Sequence, residues 1–127
     1  MSRYRISLIA PVYGVEKYIE KFAVSVLGQT YQDIQFIFVN DGTKDRSMEI
    51  LDELIESRYS HLKPRILIIN KENGGLPSAR KAGLDAAEGE YILFADSDDW
   101  LDTDAVETVM SKADETDADI VYFDLIK

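Results

Sequence analysis

The sequence predicts an α/β fold in which a mostly parallel open sheet carries helices on both faces. The first reason is order, because apolar runs typical of strands alternate with helical patterns along the chain. The second is that four of the runs are continuously apolar rather than alternating, as strands buried on both faces require. The third is size, since 127 residues with 46% apolar side chains suffice for one domain with a hydrophobic core. We therefore expect a single domain over residues 1–127.

The first half of the chain supplies two strands and two helices. Residues 6–12 form a β-rich run that ends near Tyr13-Gly14, and residues 16–29 carry apolar side chains at helical spacing. A second apolar strand at 36–39 is closed by Asn40-Asp41-Gly42. Asp45 is a suitable N-cap for the helix that follows, whose apolar side chains form one stripe.

The second half repeats this alternation. A third strand at 66–69 leads into Asn73-Gly74-Gly75, and Pro77 suits the first turn of the next helix, with Gly89 after its end. A fourth strand at 91–95 runs into Asp96-Ser97-Asp98-Asp99 and then into a helix at 102–112 with acids in its first turn. A fifth strand is predicted at 120–123.

The charge balance excludes several classes of partner. The chain carries 14 Lys and Arg against 24 Asp and Glu, a net charge of −10. Nucleic acid and anionic membrane surfaces both require a basic face, so neither is an expected partner. The chain has no cysteine and no apolar run long enough to span a membrane, and the short apolar run after its basic start does not suit a signal peptide. We expect a cytoplasmic protein, held at the inner membrane face only through other parts or partners.

The carboxyl ends of the strands are where chemistry is expected, because ligands of open α/β sheets bind there. Asp96, Asp98 and Asp99 leave the fourth strand together. In extended chain, residues two apart point the same way, so Asp96 and Asp98 can face one ligand. Mg²⁺ and Mn²⁺ take such oxygen ligands, often one or two carboxylates plus substrate phosphates. The alternative is a solvated acidic turn, and the acids alone do not decide between the two.

Other side chains near the same edge also allow two interpretations. Asp41 is either a plain turn residue beside Gly42 or an acceptor for a ligand N–H, such as that of uracil. Arg80 is either a surface cation or a contact for phosphate or base near a helix start. Tyr13 either stacks on a base or covers the sheet edge, and Trp100 is expected to pack beneath the acidic loop.

Taken in order, these segments resemble family 2 glycosyltransferases of the GT-A fold. The resemblance is carried by Ile6-Ser7-Leu8-Ile9-Ala10-Pro11-Val12-Tyr13, Val39-Asn40-Asp41-Gly42-Thr43, Glu72-Asn73-Gly74-Gly75-Leu76, Ala79-Arg80-Lys81-Ala82-Gly83 and Asp96-Ser97-Asp98-Asp99-Trp100-Leu101. It covers about residues 6–109, nearly the whole chain. Gly14, where the family commonly has asparagine, and Pro77 are local departures.

This resemblance implies the Rossmann-like, nucleotide-sugar-binding half of a GT-A enzyme. The reaction would move a sugar from a nucleotide diphosphate sugar, usually UDP-linked, to an acceptor hydroxyl with inversion. The acceptor would be a saccharide or a lipid-linked molecule, as in polysaccharide or cell-wall synthesis. The family's general base, usually an aspartate, and its acceptor site are expected beyond Lys127.

The resemblance also assigns roles to particular residues. Those implied for the nucleotide are Pro11, Tyr13, Glu16, Asp41, Arg80 and Asp96, and those implied for a divalent cation, Mn²⁺ or Mg²⁺, are Asp98 and Asp99. Within these sets, Asp41 would bind uracil, Asp96 would contact the ribose or the metal, and Asp98 would be the chief metal ligand.

Other classes of α/β protein fit less well. A phosphoacceptor receiver domain needs an acidic pair after the first strand, and a dinucleotide-binding enzyme needs G-x-G-x-x-G there. A Walker-type NTPase needs a Gly-Lys-Ser/Thr loop, and the sequence has none of these motifs. The remaining alternative is a nucleotide-binding module without catalytic activity, or an inactive fragment.

Overall fold

The computed structural model describes residues 3–98 and 100–116 as alternating strands and helices. The strands are β1 (Tyr4–Val12), β2 (Ile34–Asp41), β3 (Ile66–Lys71) and β4 (Gly89–Phe94). The helices are α1 (Ile19–Leu27), α2 (Ser47–Arg58), α3 (Leu76–Ala86) and α4 (Ala105–Thr116), with a 3₁₀-helix at Ser60–Arg65. The fifth strand predicted at 120–123 lies outside the described residues.

The strands form one sheet in the order β3-β2-β1-β4, and each neighbouring pair is parallel. Side chains of β1 alternate between its two faces, as the strand geometry requires. Ile6, Leu8 and Ala10 belong to the larger core, which also contains buried residues of α1, α2 and α4. Ile9 belongs to the smaller core, together with Ala79 of α3. The predicted parallel sheet with helices on both faces is confirmed.

Several boundaries differ from the sequence prediction because of local hydrogen bonds. The first helix begins at Ile19 rather than near residue 16, after a turn in which the Val15 carbonyl accepts the N–H groups of Tyr18 and Ile19. The last helix begins at Ala105 rather than Asp102, whose carbonyl instead accepts the Ala105 N–H. The 3₁₀-helix was not predicted from the sequence.

Candidate functional site

The loops that follow the strands meet at one edge of the sheet, because the strand pairs are parallel. They surround an open pocket of about 510 Å³. The residues that line it are Pro11, Tyr13, Val15, Asp41, Asn73, Gly75, Leu76, Ala79, Asp96, Ser97 and Asp98. The structure therefore brings together Pro11, Tyr13, Asp41, Asp96 and Asp98, which were singled out from the sequence.

Asp41, at the end of β2, has a side chain that is only 4% exposed. Its carboxylate accepts hydrogen bonds from the backbone N–H groups of Gly74 and Gly75 and from the Lys71 ammonium, each at 3.0 Å. Burial alone would raise the pKa of this carboxyl, but the hydrogen bonds and the Lys71 charge outweigh it and hold the pKa below its usual range. Asp41 is therefore a charged anchor that ties the loop after β3 to the end of β2.

A second set of hydrogen bonds joins the loop after β1 to the loop after β2. The Gly14 N–H donates to Thr43 Oγ1 at 2.9 Å, and the Val15 N–H donates to Ser47 Oγ at 3.1 Å. Asp45 accepts from both the N–H and the hydroxyl of Ser47, but it lies one residue before the N-cap of α2, which is Arg46 rather than the predicted Asp45. Burial raises the pKa of Asp45, but the Ser47 hydrogen bonds and others outweigh it and lower the pKa to about 2. Side-chain oxygens thus fix the rim of the pocket that carries Tyr13.

Glu16 does not line this pocket, although the resemblance implies that it should. It lies in a neighbouring depression with Gly14, Lys17, Tyr18 and Asp45. There its Oε1 accepts the Arg46 N–H at 2.8 Å, while its own N–H donates to Asp45 Oδ2 at 3.2 Å. The free backbone N–H groups at the start of α2 attract the carboxylate, which explains the difference.

The acidic loop after β4 places two carboxylates at the pocket. Asp96 and Asp98 both line it and are exposed, as expected, although Ser97 and Asp98 form a turn rather than the extended chain on which that expectation was based. Between them Ser97 is buried, and its hydroxyl donates to the Pro11 carbonyl at 2.6 Å, which attaches this loop to the end of β1. Asp99, the other predicted metal ligand, lies outside the described residues. The two carboxylates supply hard oxygen ligands of the kind that Mg²⁺ and Mn²⁺ take.

Arg80, in α3, lies beside the pocket rather than among the residues that line it. Its guanidinium packs over the Phe94 ring, 5.4 Å from the centroid, and its Nη2 is 3.8 Å from Asp96 Oδ1. Within the described part of the chain, its Nε is buried without a hydrogen-bond partner. Such an atom is unusual in a folded protein and leaves this cation with unused donor capacity next to the acidic loop.

The two aromatic residues of the site are both accessible. Tyr13 is 54% exposed at the pocket wall, so its ring is available to a ligand. Trp100 is 36% exposed, and the Lys21 ammonium lies 3.7 Å from its ring centroid. Trp100 was expected to pack beneath the acidic loop, but the structure leaves its ring at the surface against the Lys21 side chain of α1.

Three residues that contribute to the site were not assigned roles from the sequence. Asn73 lines the pocket and donates from Nδ2 to the Asp41 carbonyl at 3.0 Å. Ser97 fixes the acidic loop, and Lys71 neutralises Asp41. Asn73 and Ser97 stand inside the segments that carry the resemblance, which is a usable signal. Nothing in the local pattern around Lys71 indicates that it pairs with a residue 30 positions earlier.

Residues 7–127 match the family described as Glycosyl transferase family 2. The chain belongs to glycosyl transferase family 2. Curated relatives of this family 2 chain agree with the match. Glycosyltransferase GlyA of Streptococcus pneumoniae is 46% identical over 116 residues, which make up 91% of this chain and 16% of that protein. The uncharacterized glycosyltransferase EpsJ of Bacillus subtilis is 43% identical over 116 residues, 91% of this chain and 32% of that protein.

Solved structures confirm the fold of this family 2 chain. S. aureus TarS, residues 1–349 in complex with UDP-GlcNAc, matches with a TM-score of 0.75 and 27% identity over 87% of this chain and 31% of that chain. The mannosyltransferase PcManGT of Pyrobaculum calidifontis, in complex with GDP-Man and Mn²⁺, has a TM-score of 0.69 at 22% identity, over 78% of this chain and 29% of that chain. The second likeness shows the shared fold alone.

The family 2 chain spans less than half the length of these relatives and solved structures. Among the helices described in residues 3–98 and 100–116, none combines the length and the apolar character needed to span a bilayer.

Proposed function

We propose that this chain binds the donor of an inverting glycosyltransferase, a UDP-linked sugar, for transfer of the sugar to an acceptor hydroxyl. The observation that carries the proposal is a single pocket that has Asp41 and Asn73 on one side and Asp96 and Asp98 on the other. The likeness to the UDP-GlcNAc complex of TarS, at 27% identity and a TM-score of 0.75, supports a nucleotide sugar as the ligand.

Asp41 and Tyr13 suit the uracil end of such a donor. A carboxylate offers about four acceptor positions. Three of those on Asp41 are taken at 3.0 Å, whereas the Asn73 amide approaches Oδ2 only at 3.4 Å. A ring N–H of uracil can therefore bind Asp41 at Oδ2 in place of this long contact, and the exposed Tyr13 ring can stack on the base.

Asp96, Asp98 and Arg80 suit the diphosphate end. A chain with a net charge of −10 repels a diphosphate, so binding requires local positive charge. The donor set fits a divalent cation, since two carboxylates that face one pocket leave further positions for phosphate oxygens. A bound Mn²⁺ or Mg²⁺ would offset the negative charge of the diphosphate as it leaves the sugar. Arg80, whose Nη2 lies 3.8 Å from Asp96 Oδ1 beside the pocket, supplies the second positive charge.

The residues of this pocket bind and orient the donor, and none of them is assigned as the general base. We propose further that a general base and an acceptor site outside this pocket act on a saccharide or lipid-linked acceptor. The cytoplasmic location and the single-domain organisation over residues 1–127 also stay predictions. The second candidate function is nucleotide binding without transfer. It fits a pocket whose lining residues bind and orient a nucleotide and among which we assign no general base.

Calorimetric titration of UDP, with Mn²⁺ and with a chelator, tests the donor proposal. We expect binding that depends on the metal, and Asp98→Ala should weaken it at least about tenfold, or about 1.4 kcal/mol. The control is Asp104→Ala, which removes an exposed acid of the same stretch that does not line the pocket and should leave the affinity unchanged. Equal affinity with and without metal would contradict the proposal. UDP binding without any release of UDP from a UDP-sugar would favour the second candidate.

A further inference from the structure

Lys71, the last residue of β3, makes two polar contacts at the wall of the pocket. Its ammonium lies 3.0 Å from Asp41 Oδ1 and 2.7 Å from the Glu72 carbonyl oxygen. The Lys71 side chain is 22% exposed and that of Asp41 is 4% exposed, so solvent screens this ion pair only weakly. Removal of the Lys71 charge would leave a buried carboxylate without its charged partner, which is costly.

Asp41 connects Lys71 to the loop at residues 72–75. The two carboxylate oxygens of Asp41 accept the N–H groups of Gly74 and Gly75, and its backbone carbonyl accepts a hydrogen bond from the Asn73 amide. Asp41, Asn73 and Gly75 all line the pocket, whereas Lys71 itself does not. Lys71 therefore stands behind the residues that face a ligand.

The loop is packed so closely that small displacements are resisted. A Cβ added to Gly74 would lie 2.7 Å from Ser78 Oγ and 3.0 Å from Lys71 Nζ. A Cβ added to Gly42 would lie 2.7 Å from the Asn73 backbone nitrogen. All three distances are shorter than ordinary contacts, and the one at Gly42 is to backbone, so the end of β2 and the loop lie in close contact.

We propose that Lys71 is a positioning residue for the base end of the nucleotide site. By neutralising and holding Asp41, it sets the positions of Asn73 and Gly75, against which the base of the nucleotide rests. This inference rests on the proposed function, because it takes the pocket to be the nucleotide site.

The sheet order places Lys71 far from the residues that suit the diphosphate. Lys71 ends β3 and Asp96 follows β4, with β2 and β1 between them. Three strand spacings of about 4.8 Å place the two strands roughly 14 Å apart. A change at Lys71 should therefore alter recognition of the base without altering recognition of a diphosphate.

The test compares the affinities of UDP and of inorganic pyrophosphate, both measured by calorimetry with Mn²⁺. Lys71→Met removes the charge and retains the apolar stem, Lys71→Arg retains the charge, and Lys63→Met removes an exposed lysine elsewhere as a control. We expect Lys71→Met to weaken UDP binding about tenfold or more while pyrophosphate binding stays within about twofold. Lys71→Arg should restore most of the UDP affinity, and Lys63→Met should bind both ligands like the wild type.

Unchanged UDP affinity in Lys71→Met would overturn the inference. An equal loss of affinity for UDP and for pyrophosphate would also overturn it, because it would indicate a general structural defect. If Lys71→Met is unfolded at the assay temperature by circular dichroism, Lys71→Gln replaces it and is judged by the same ratio. A wild-type protein that fails to bind UDP refutes the proposed function. A wild-type protein that binds UDP with no effect of Lys71 refutes this inference alone.

Discussion

Substitution of Gly83 by alanine tests how closely α3 must approach the sheet. Gly83 is buried in α3, and a Cβ built there would lie 2.4 Å from Ile9 Cγ2 and 3.3 Å from Val39 Cγ2. Both neighbours are fully buried in the sheet, so neither can move aside freely. Either the two side chains or the whole helix must shift by roughly 1 Å to restore an ordinary contact distance.

Two effects of the Gly83→Ala substitution oppose each other. Replacing a helical glycine by alanine stabilises the folded state by about 1 kcal/mol through backbone entropy. Overpacking a tight core costs about 1–3 kcal/mol, and the 2.4 Å contact with Ile9 places this site at the upper part of that range. The net expectation is a loss of about 1–2 kcal/mol in the free energy of unfolding. For a chain of 127 residues each kcal/mol lowers Tm by roughly 3–6 °C.

Urea unfolding followed by circular dichroism measures this change. The variants Asp85→Gly and Asp85→Ala provide the control, because their difference gives the glycine-to-alanine effect at an exposed position of the same helix. If Gly83→Ala raises the free energy of unfolding by the same amount as that difference, Ile9 relaxes without cost and the packing argument is wrong. If α3 moves outward instead, UDP binding should also weaken, since this helix carries Arg80.

Two further perturbations act on the loops around the pocket. Asp45→Ala removes the acceptor for Ser47 and should cost about 1 kcal/mol of stability at neutral pH, measured by denaturant unfolding. Because folding lowers the pKa of Asp45 from 3.8 to about 2, its contribution is present above about pH 4 and is lost as the pH falls through 2. The stability difference between wild type and Asp45→Ala should therefore shrink over that range, and a constant difference would contradict this reasoning. Gly42→Ala should lower the free energy of unfolding by about 1–3 kcal/mol, because Gly42 has a φ of +71° and an added Cβ would meet the Asn73 backbone. An unaltered melting temperature would show that the loop can move to accommodate the Cβ.

The sequence predicts the sheet well because its signals are local. Each described strand is an apolar run bounded by turn residues, so patterning alone locates it, and parallel pairing follows from the alternation with helices. The start of α2 was predicted to within one residue for the same reason: Arg46 is the N-cap rather than Asp45, but the Asp45 carboxylate does accept the Ser47 N–H of the first turn.

The contacts between loops are harder to predict because their partners are distant in the chain. Glu16 turns to the Arg46 N–H, 30 positions away, rather than to the pocket. Lys71 pairs with Asp41 across the same separation, and no periodic pattern connects the two. The resemblance to a family indicates which segments form the site, whereas the structure is needed to assign each side chain to ligand or to support.

The location of bound UDP on this chain tests the central claim most directly. Titration of ¹⁵N-labelled protein with UDP and Mg²⁺, followed by amide NMR, reports that location. We predict saturable shift changes that cluster at Asp41, Asn73–Gly75 and Asp96–Asp98, the residues at one edge of the sheet. Changes centred on Tyr4, Gln35 and Gly89, which lie toward the opposite ends of the strands, or the absence of saturable changes, would contradict it.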